Sequence, residues 1–167
     1  LWSSVTSNNN NINTFYELCM KLNLDNSIDL QSLIVSTFGV GKRYANEKNK
    51  EKMIRIIDSY LENLLNNIGS EYDEKEDVKT TELRALIFRG LGITCENTKY
   101  IDTAKNLYSK YLSDKNSVEP NLAASAIAII AQNGDKKLHT EFFEKYTSTQ
   151  IPQEKIRFLF SLSEFKS

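Results

Sequence analysis

Five consecutive segments decide the fold of this chain: LRALIFRGLGI (83–93), IDTAKNLYSKYL (101–112), LAASAIAII (122–130), LHTEFFEKY (138–146) and IPQEKIRFLFSLSEF (151–165). In most of them apolar residues recur three and four positions apart, which places them on one face of an α-helix. Segment 122–130 is apolar on most sides and is expected at the centre of the fold. No segment shows the sustained alternation of a half-buried strand. The pattern predicts an all-α fold.

The boundaries of these helices are marked by proline and by turn residues. Helices are predicted to begin near Val78, Lys99, Pro120, Lys136 and Pro152. Both prolines suit the first helical position, where a missing amide donor costs no hydrogen bond. The Asn-Gly-Asp sequence at 133–135 predicts a turn.

Further helices are predicted in the first half of the chain. The clearest pattern is MIRIIDSYLENLLNNIG (53–69), which keeps helical spacing until Gly69 ends the helix. Another helix is expected from about Asp29 to Tyr44, with Leu33 among its apolar residues. An apolar stripe predicts a shorter helix, and its members are Phe15, Leu18, Cys19 and Leu22. Residues 46–50 are interpreted as a solvated connection and the polar opening, 1–11, as a loop.

The whole chain, 1–167, is expected to form a single helical-repeat domain. Its hydrophobic content of 40% and charged content of 26% are ordinary for a globular protein. About eight antiparallel helices fit two architectures, a compact bundle or a HEAT-like solenoid of stacked helix pairs. Because the chain begins with Leu1 rather than Met, we expect it to be a fragment of a larger multidomain protein.

The charge balance argues against two classes of partner. A net charge of -1 offers no electrostatic footprint for nucleic acid or for an anionic membrane. The aromatic residues, Phe143 among them, fall mostly on apolar stripes, which favours core packing over a base-stacking surface. No N-x-S/T acceptor occurs, which favours an intracellular origin, and we expect a cytoplasmic location.

No catalytic, cofactor-binding or metal-binding residue is predicted. His139 is the only histidine, so the chain cannot contain an H-E-x-x-H zinc helix, and we interpret it as a surface or capping residue. The sequence FGVGKR (38–43) lacks the spacing of a phosphate-binding loop. The acidic segment 71–77 lacks the spacing of a metal loop and is interpreted as a solvated linker. Cys19 and Cys95 are interpreted as buried thiols, with a disulfide as the alternative.

A series of short motifs follows the long helix in order. They are Ile68-Gly69, Thr81-Glu82-Leu83-Arg84, Leu91-Gly92, Ala104, Leu107-Tyr108, Pro120-Asn121-Leu122, Gly134, Phe143 with Tyr146, and Pro152-Gln153-Glu154-Lys155 followed by Arg157, Leu159, Leu162 and Ser163. This order resembles the C-terminal helical domain of the zinc-dependent gluzincin aminopeptidases, which include puromycin-sensitive aminopeptidase, the endoplasmic-reticulum aminopeptidases and the tricorn-interacting factors. Leu1-Trp2 is similar to the Val-Trp that precedes this region in the family. Ser70, Asn121 and Ala123 depart from the family's usual Trp, Asp and Arg.

The resemblance implies a HEAT-like α-α superhelix and a parent enzyme that removes N-terminal residues from peptides. The parent's zinc, held by an H-E-x-x-H helix and a downstream Glu, would lie upstream of this region. This chain would be the non-catalytic domain that walls and gates the peptide chamber, with the catalytic domain and peptide substrates as partners. The alternative is a stand-alone helical-repeat scaffold that binds a partner protein on its concave face. The isolated chain is expected to self-associate, because terminal repeats without a polar cap expose apolar faces.

Arg84 is the one candidate for a substrate-facing residue. As a cation facing the chamber it would attract the C-terminal carboxylate of a peptide. The alternative is an ion pair with the acidic segment 71–77 just before it. Glu154, Lys155 and Arg157 form a charged sequence that is typical of a solvated helix surface.

Overall fold

A computed structural model describes residues 12–22, 27–44, 47–73 and 75–166. These ranges contain eight α-helices and no strand, which confirms the all-α class. The helices are α1 (Ile12–Leu22), α2 (Ile28–Tyr44), α3 (Glu47–Ile68), α4 (Val78–Arg89), α5 (Thr98–Ser113), α6 (Pro120–Gln132), α7 (Lys136–Ser148) and α8 (Pro152–Leu162), with a π-helix over Gly90–Thr94. Within the same ranges, no helix combines the length and the apolar character that a membrane span requires.

The predicted helix starts agree closely with the structure. Helices α4, α6, α7 and α8 begin at the predicted residues, and α5 begins at Thr98, directly before the predicted Lys99. Side-chain caps account for three of these starts. Asn97 accepts from the Lys99 amide at 3.2 Å, Asp135 accepts from the Leu138 amide at 2.9 Å, and Glu119 accepts from the Leu122 amide at 2.7 Å. The predicted loop at 1–11, including Leu1-Trp2, lies outside the described residues.

The interpretation of residues 46–50 as a connection is wrong where the structure describes them. Helix α3 begins at Glu47 and includes the charged residues that follow. Glu and Lys have high helix propensity, and Lys50 Nζ donates to Glu47 Oε1 at 3.0 Å across one turn. An acidic residue in the first turn also interacts favourably with the helix dipole. A charged run without apolar spacing therefore extends the amphipathic helix that follows it.

The described chain divides into two compact units between Gly90 and Leu91. In the first unit α2, α3 and α4 pack against one another in pairs. The side chains most fully enclosed in this unit include Ile57, Tyr60, Leu61, Leu83 and Ile87. The Phe38 ring meets the Tyr60 ring edge to face, with centroids 5.2 Å apart.

In the second unit α5 packs against α6, α7 packs against α8, and α6 also contacts α8. Residues 125–129 of α6 are all buried, which confirms that this helix is central. The core consists of Tyr108, Tyr111, Val118, Ala123, Ile127, Ala131, Phe142 and Phe158. The Phe142 ring contacts three other rings, those of Tyr108, Phe158 and Phe165.

Three residues predicted to lie on apolar stripes are exposed instead. Leu18 is 41% exposed, Leu33 is 63% exposed and Phe143 is 52% exposed. Leu33 shares its face of α2 with the exposed residues Asp29 and Ser36, because residues three and four apart lie together on a helix. Phe143 shares its face of α7 with exposed Thr147 in the same way. Neighbouring residues in an α-helix are rotated by about 100° around the helix axis. An apolar residue next to a core residue in sequence can therefore point outward.

A glycine in the π-helix allows close packing in the second unit. A Cβ atom at Gly92 would lie 2.6 Å from Ile129 Cδ1 on the central helix α6. No real Cβ contact is that short, so any side chain at position 92 would displace Ile129. Close packing against Ile129 therefore explains the glycine in the Leu91-Gly92 motif.

Candidate functional site

Arg84, the predicted substrate-facing residue, lies inside the first unit. Its side chain is 1% exposed, and it sits on α4 between the buried residues Leu83 and Ala85. A cation removed from water is stable only with a counter-charge and hydrogen-bond acceptors close to it. The surroundings of Arg84 supply both.

The Arg84 guanidinium binds one carboxylate and one helix end. Its Nη1 and Nη2 atoms donate to the two carboxylate oxygens of Glu76, at 2.6 Å and 2.5 Å. Its Nε atom donates to the carbonyl oxygen of Gly69 at 2.8 Å, and Nη2 also donates to that of Ile68 at 3.3 Å. The two parallel bonds to Glu76 form the fork that arginine makes with carboxylates and lysine cannot.

The two carbonyls that Arg84 reaches belong to the end of α3. Helix α3 ends at Ile68, and Gly69 takes the left-handed conformation with φ of 84°. The last carbonyls of a helix have no partner within it and carry the negative end of the helix dipole. A guanidinium at this position satisfies them and neutralises their partial charge. Arg84 therefore serves as a C-terminal cap contributed by another helix.

Glu76 is the residue of the acidic linker that contacts Arg84. It lies in a turn, in which the Glu76 amide donates to the Asp73 carbonyl at 3.0 Å. The Glu76 side chain is 20% exposed, whereas Glu71 and Asp77 are exposed as predicted. The hydrogen bond from Arg84, reinforced by its charge, holds the pKa of Glu76 below its ordinary value, although partial burial opposes the shift. The interpretation of 71–77 as a solvated linker is thus wrong for Glu76.

Of the two interpretations of Arg84, the ion pair with the acidic segment is the arrangement present. The substrate-facing role stays a prediction. A peptide carboxylate that bound this guanidinium would have to replace the Glu76 carboxylate, which already forms both bonds of the fork.

Glu154 is the second buried charge and lies in the second unit. Its side chain is 8% exposed, and the residue lies in the first turn of α8. The Tyr111 hydroxyl donates to Glu154 Oε1 at 2.7 Å, and the Thr149 hydroxyl donates to Oε2 at 2.8 Å. Lys115 Nζ lies 2.8 Å from Oε1 and 2.9 Å from Oε2. One carboxylate thus connects α5, the α5–α6 loop, the α7–α8 loop and α8.

The electrostatics of this cluster favour an ionised Glu154. Burial alone would raise the pKa of Glu154, but hydrogen bonds from Lys115, Tyr111 and Thr149 outweigh burial and hold the pKa below its ordinary value. Burial raises the pKa of Tyr111, and the bond to Glu154 adds to the increase, although Arg157 opposes it. Tyr111 therefore stays a neutral hydroxyl that donates to an anion.

The interpretation of Glu154, Lys155 and Arg157 as solvated surface is wrong for Glu154. Lys155 is exposed, and Arg157 is half-buried with its guanidinium carbon 5.5 Å from the centroid of the Tyr111 ring. The missed signal lies in the spacing, because Glu154, Phe158 and Ser161 are four and three residues apart and all are buried. A charged residue on the apolar stripe of a helix indicates a buried pair.

The remaining candidates show no reactive arrangement in the described ranges. His139 is exposed in the first turn of α7, where its ring meets that of Phe165 at 5.0 Å. The FGVGKR sequence lies within helix α2, so it does not form a phosphate loop. Cys19 and Cys95 are buried thiols, and burial raises the pKa of Cys19 to about 11, which disfavours the nucleophilic thiolate.

The whole chain, residues 1–167, matches the family model of the ERAP1-like C-terminal domain. It belongs to that family. The resemblance to the C-terminal domain of gluzincin aminopeptidases is thereby confirmed. Arg84 and Glu154, which lie in motifs of that resemblance, are the charged residues buried in the described part of this ERAP1-like domain.

A curated relative supports the same assignment. Aminopeptidase 2 of Candida albicans (strain SC5314 / ATCC MYA-2876) is 24% identical to the domain over 123 residues. The match covers 73% of this chain and 13% of the relative, so the domain spans a small part of the relative's length. No solved structure matches the chain.

The resemblance implies zinc in the parent, and the residues of this domain do not fit that metal. A catalytic zinc takes three protein ligands, commonly with histidine among them. The chain has one histidine, and no three His, Cys, Asp or Glu side chains in its described part are placed to hold a metal ion together. No chemical step is therefore assigned to zinc in this domain.

The contribution of Glu76 to the free energy of unfolding can be measured by replacing Glu76 with glutamine, its neutral isostere. Glu76→Gln leaves the Arg84 cation buried without a counter-charge, and loss of one partner of a buried pair costs about 3–5 kcal/mol of unfolding free energy. The matched control is Asp29→Asn, because Asp29 pairs with Lys79 at 2.9 Å at the surface. We expect a change of less than about 1 kcal/mol there. Equal losses by urea denaturation would contradict the proposed difference between the two pairs.

The free energy of unfolding should depend on pH through the ionisation of Glu154. Because its folded-state pKa lies below the ordinary value of 4.5, the ionised carboxylate stabilises the fold above that pH. This contribution is lost as the pH falls below 4.5 and through the folded-state pKa. In denaturation series between neutral and acid pH, Glu154→Gln should be less stable at neutral pH and should lose less stability on acidification. Glu144→Gln, at an exposed position of α7, is the control. Parallel pH profiles for Glu154→Gln and the unmodified chain would argue against an ionised Glu154.

Proposed function

We propose that this domain is the non-catalytic C-terminal module of a zinc-dependent aminopeptidase whose upstream catalytic domain removes N-terminal residues from peptides. The observation that carries the proposal is the match of residues 1–167 to the ERAP1-like C-terminal domain family. The name of the Candida relative, Aminopeptidase 2, supports the reaction class. In this proposal the zinc belongs to the catalytic domain, and the parent enzyme works in the cytoplasm.

Within the parent, the role of the domain is to wall and gate the peptide chamber. Its partners are the catalytic domain and the peptide itself. Support comes from the polar interior, because the Arg84 and Glu154 clusters bind their own neighbours and hold several segments together. Such clusters supply shape and rigidity, which a wall needs, and they offer no activated nucleophile or base.

The parent enzyme allows a direct test of this role. We expect an H-E-x-x-H motif upstream of Leu1. Deletion of residues 1–167 should preserve turnover of a single aminoacyl anilide, which does not depend on a chamber wall. The kcat/KM ratio of a long to a short peptide should change by about tenfold, since this discrimination requires contacts along the peptide. Steady-state rates at equal zinc content measure both quantities.

Three results would oppose the proposal. A parent gene without H-E-x-x-H would favour the stand-alone scaffold, which would then be tested by partner capture on the intact protein. Turnover of an aminoacyl anilide by the isolated domain with added zinc would make the domain itself an enzyme. An unchanged length preference after deletion, with zinc content and helicity intact, would remove the gating role alone.

We also propose that the isolated domain self-associates through an apolar face of α8. Ile156, Leu159 and Phe160 are 54%, 46% and 67% exposed, and their spacing puts them on one face of the helix. Sedimentation velocity should show a concentration-dependent increase in mass that Phe160→Asp abolishes. Leu112→Asp, at an exposed position of α5, is the control and should leave association unchanged. A strictly monomeric domain at all concentrations would refute the proposal.

A further inference from the structure

The turn between α6 and α7 is built on Asn133-Gly134, the dipeptide in which asparagine is chemically least stable. Asparagine degrades by deamidation. In this reaction the backbone nitrogen of the following residue attacks the side-chain amide carbon of asparagine. Ammonia leaves, and a five-membered succinimide forms. Water then opens the ring at either carbonyl to give aspartate or isoaspartate. Glycine in the following position hinders the attack least because it has no side chain.

In the folded domain, both reacting groups are engaged elsewhere. The Gly134 amide donates to the Ala131 carbonyl at 3.0 Å, so the attacking nitrogen is engaged in a backbone hydrogen bond. The Asn133 amide Nδ2 donates to the Ile129 carbonyl at 2.8 Å, which fixes the carbon that would be attacked. Ring closure requires both hydrogen bonds to break and the peptide between the two residues to rotate.

Packing around Gly134 opposes that rotation. A Cβ atom at this residue would lie 2.6 Å from Phe165 Cε1 and 2.7 Å from Leu138 Cδ2, so the backbone here is in tight contact with side chains. The Phe165 ring is itself held against Phe142, at 5.6 Å between centroids, and against His139. Phe165 and Leu138 therefore restrict the rotation of the Gly134 backbone.

The products of the reaction do not fit the turn. Aspartate at position 133 would replace the donor to the Ile129 carbonyl by a second acceptor. The new charge would also lie at the negative end of the α6 dipole, close to Asp135, which caps α7. Isoaspartate adds a methylene to the backbone directly before Gly134, which Phe165 and Leu138 crowd.

We propose that Asn133-Gly134 is a fold-gated deamidation site, with water as the only co-reactant. The intact turn suppresses the reaction, and local opening permits it. Once the reaction has occurred, the native turn no longer closes fully. The site thus converts a transient opening of the α6–α7 turn into a permanent covalent mark, independently of the function proposed for the parent enzyme.

The test compares deamidation rates at position 133 in the full chain under native conditions and in urea. Peptide mapping by mass spectrometry, with enzymatic methylation of isoaspartate, quantifies both products. We expect the native rate to be at least about tenfold lower, because reaction requires the open state. Asn133→Gln is the chemical control and should give no product there, since its longer side chain cannot form the five-membered ring. Equal native and denatured rates would overturn the gating.

Two variants test the mechanism of gating and its consequence. Phe165→Ala removes the ring that crowds Gly134 and should raise the native rate several-fold, with no change in urea. Phe165→Leu, which keeps an apolar group over the turn, should have a smaller effect. Asn133→Asp reproduces the aspartate product and should lower Tm by about 2–4 °C. A native rate unaffected by Phe165→Ala, or an unchanged Tm for Asn133→Asp, would refute the corresponding part of the proposal.

Discussion

A guanidinium group excluded from water is the constraint on which the first unit depends. Arg84 is among the largest fully buried side chains in the described part of the chain, and it places a cation in the interior. The fold must therefore bring an anion and several acceptors to it. It does so with Glu76 and with the carbonyls at the end of α3. Hydrogen bonds from one side chain thereby link α3, the acidic linker and α4.

The second unit also contains a buried charge that needs partners, and here the charge is negative. Glu154 is a buried anion, and a cation and two hydroxyl groups from three other segments bind it. In both units one charged residue connects several segments of the chain. A buried ion pair of this kind adds little net stability over an apolar pair, whereas separating the two partners leaves a charge unpaired in the interior.

Local signals made the helices predictable, whereas long-range contacts limited prediction of the polar clusters. Pro120, Pro152 and Gly69 act within one turn of their own position, so these helix boundaries are predictable from the sequence. The predicted faces of Leu18, Leu33 and Phe143 are wrong because spacing shows which residues share a face and not which face meets a partner. The partners of Glu154 lie 43 and 39 residues away in Tyr111 and Lys115, and no local pattern connects such positions.

These clusters bind carboxylates and a hydroxyl that would otherwise be candidates for catalysis. A catalytic group needs a pKa near the working pH and an unoccupied position for substrate. Here the hydrogen bonds lower the pKa of Glu154 and of Glu76, and burial raises that of Tyr111, so each group is held further from neutrality. The same hydrogen bonds occupy the positions that a substrate would need. The same hydrogen bonds thus stabilise one protonation state of each group and fix the backbone around it. Both effects favour a structural role for these side chains over a reactive one.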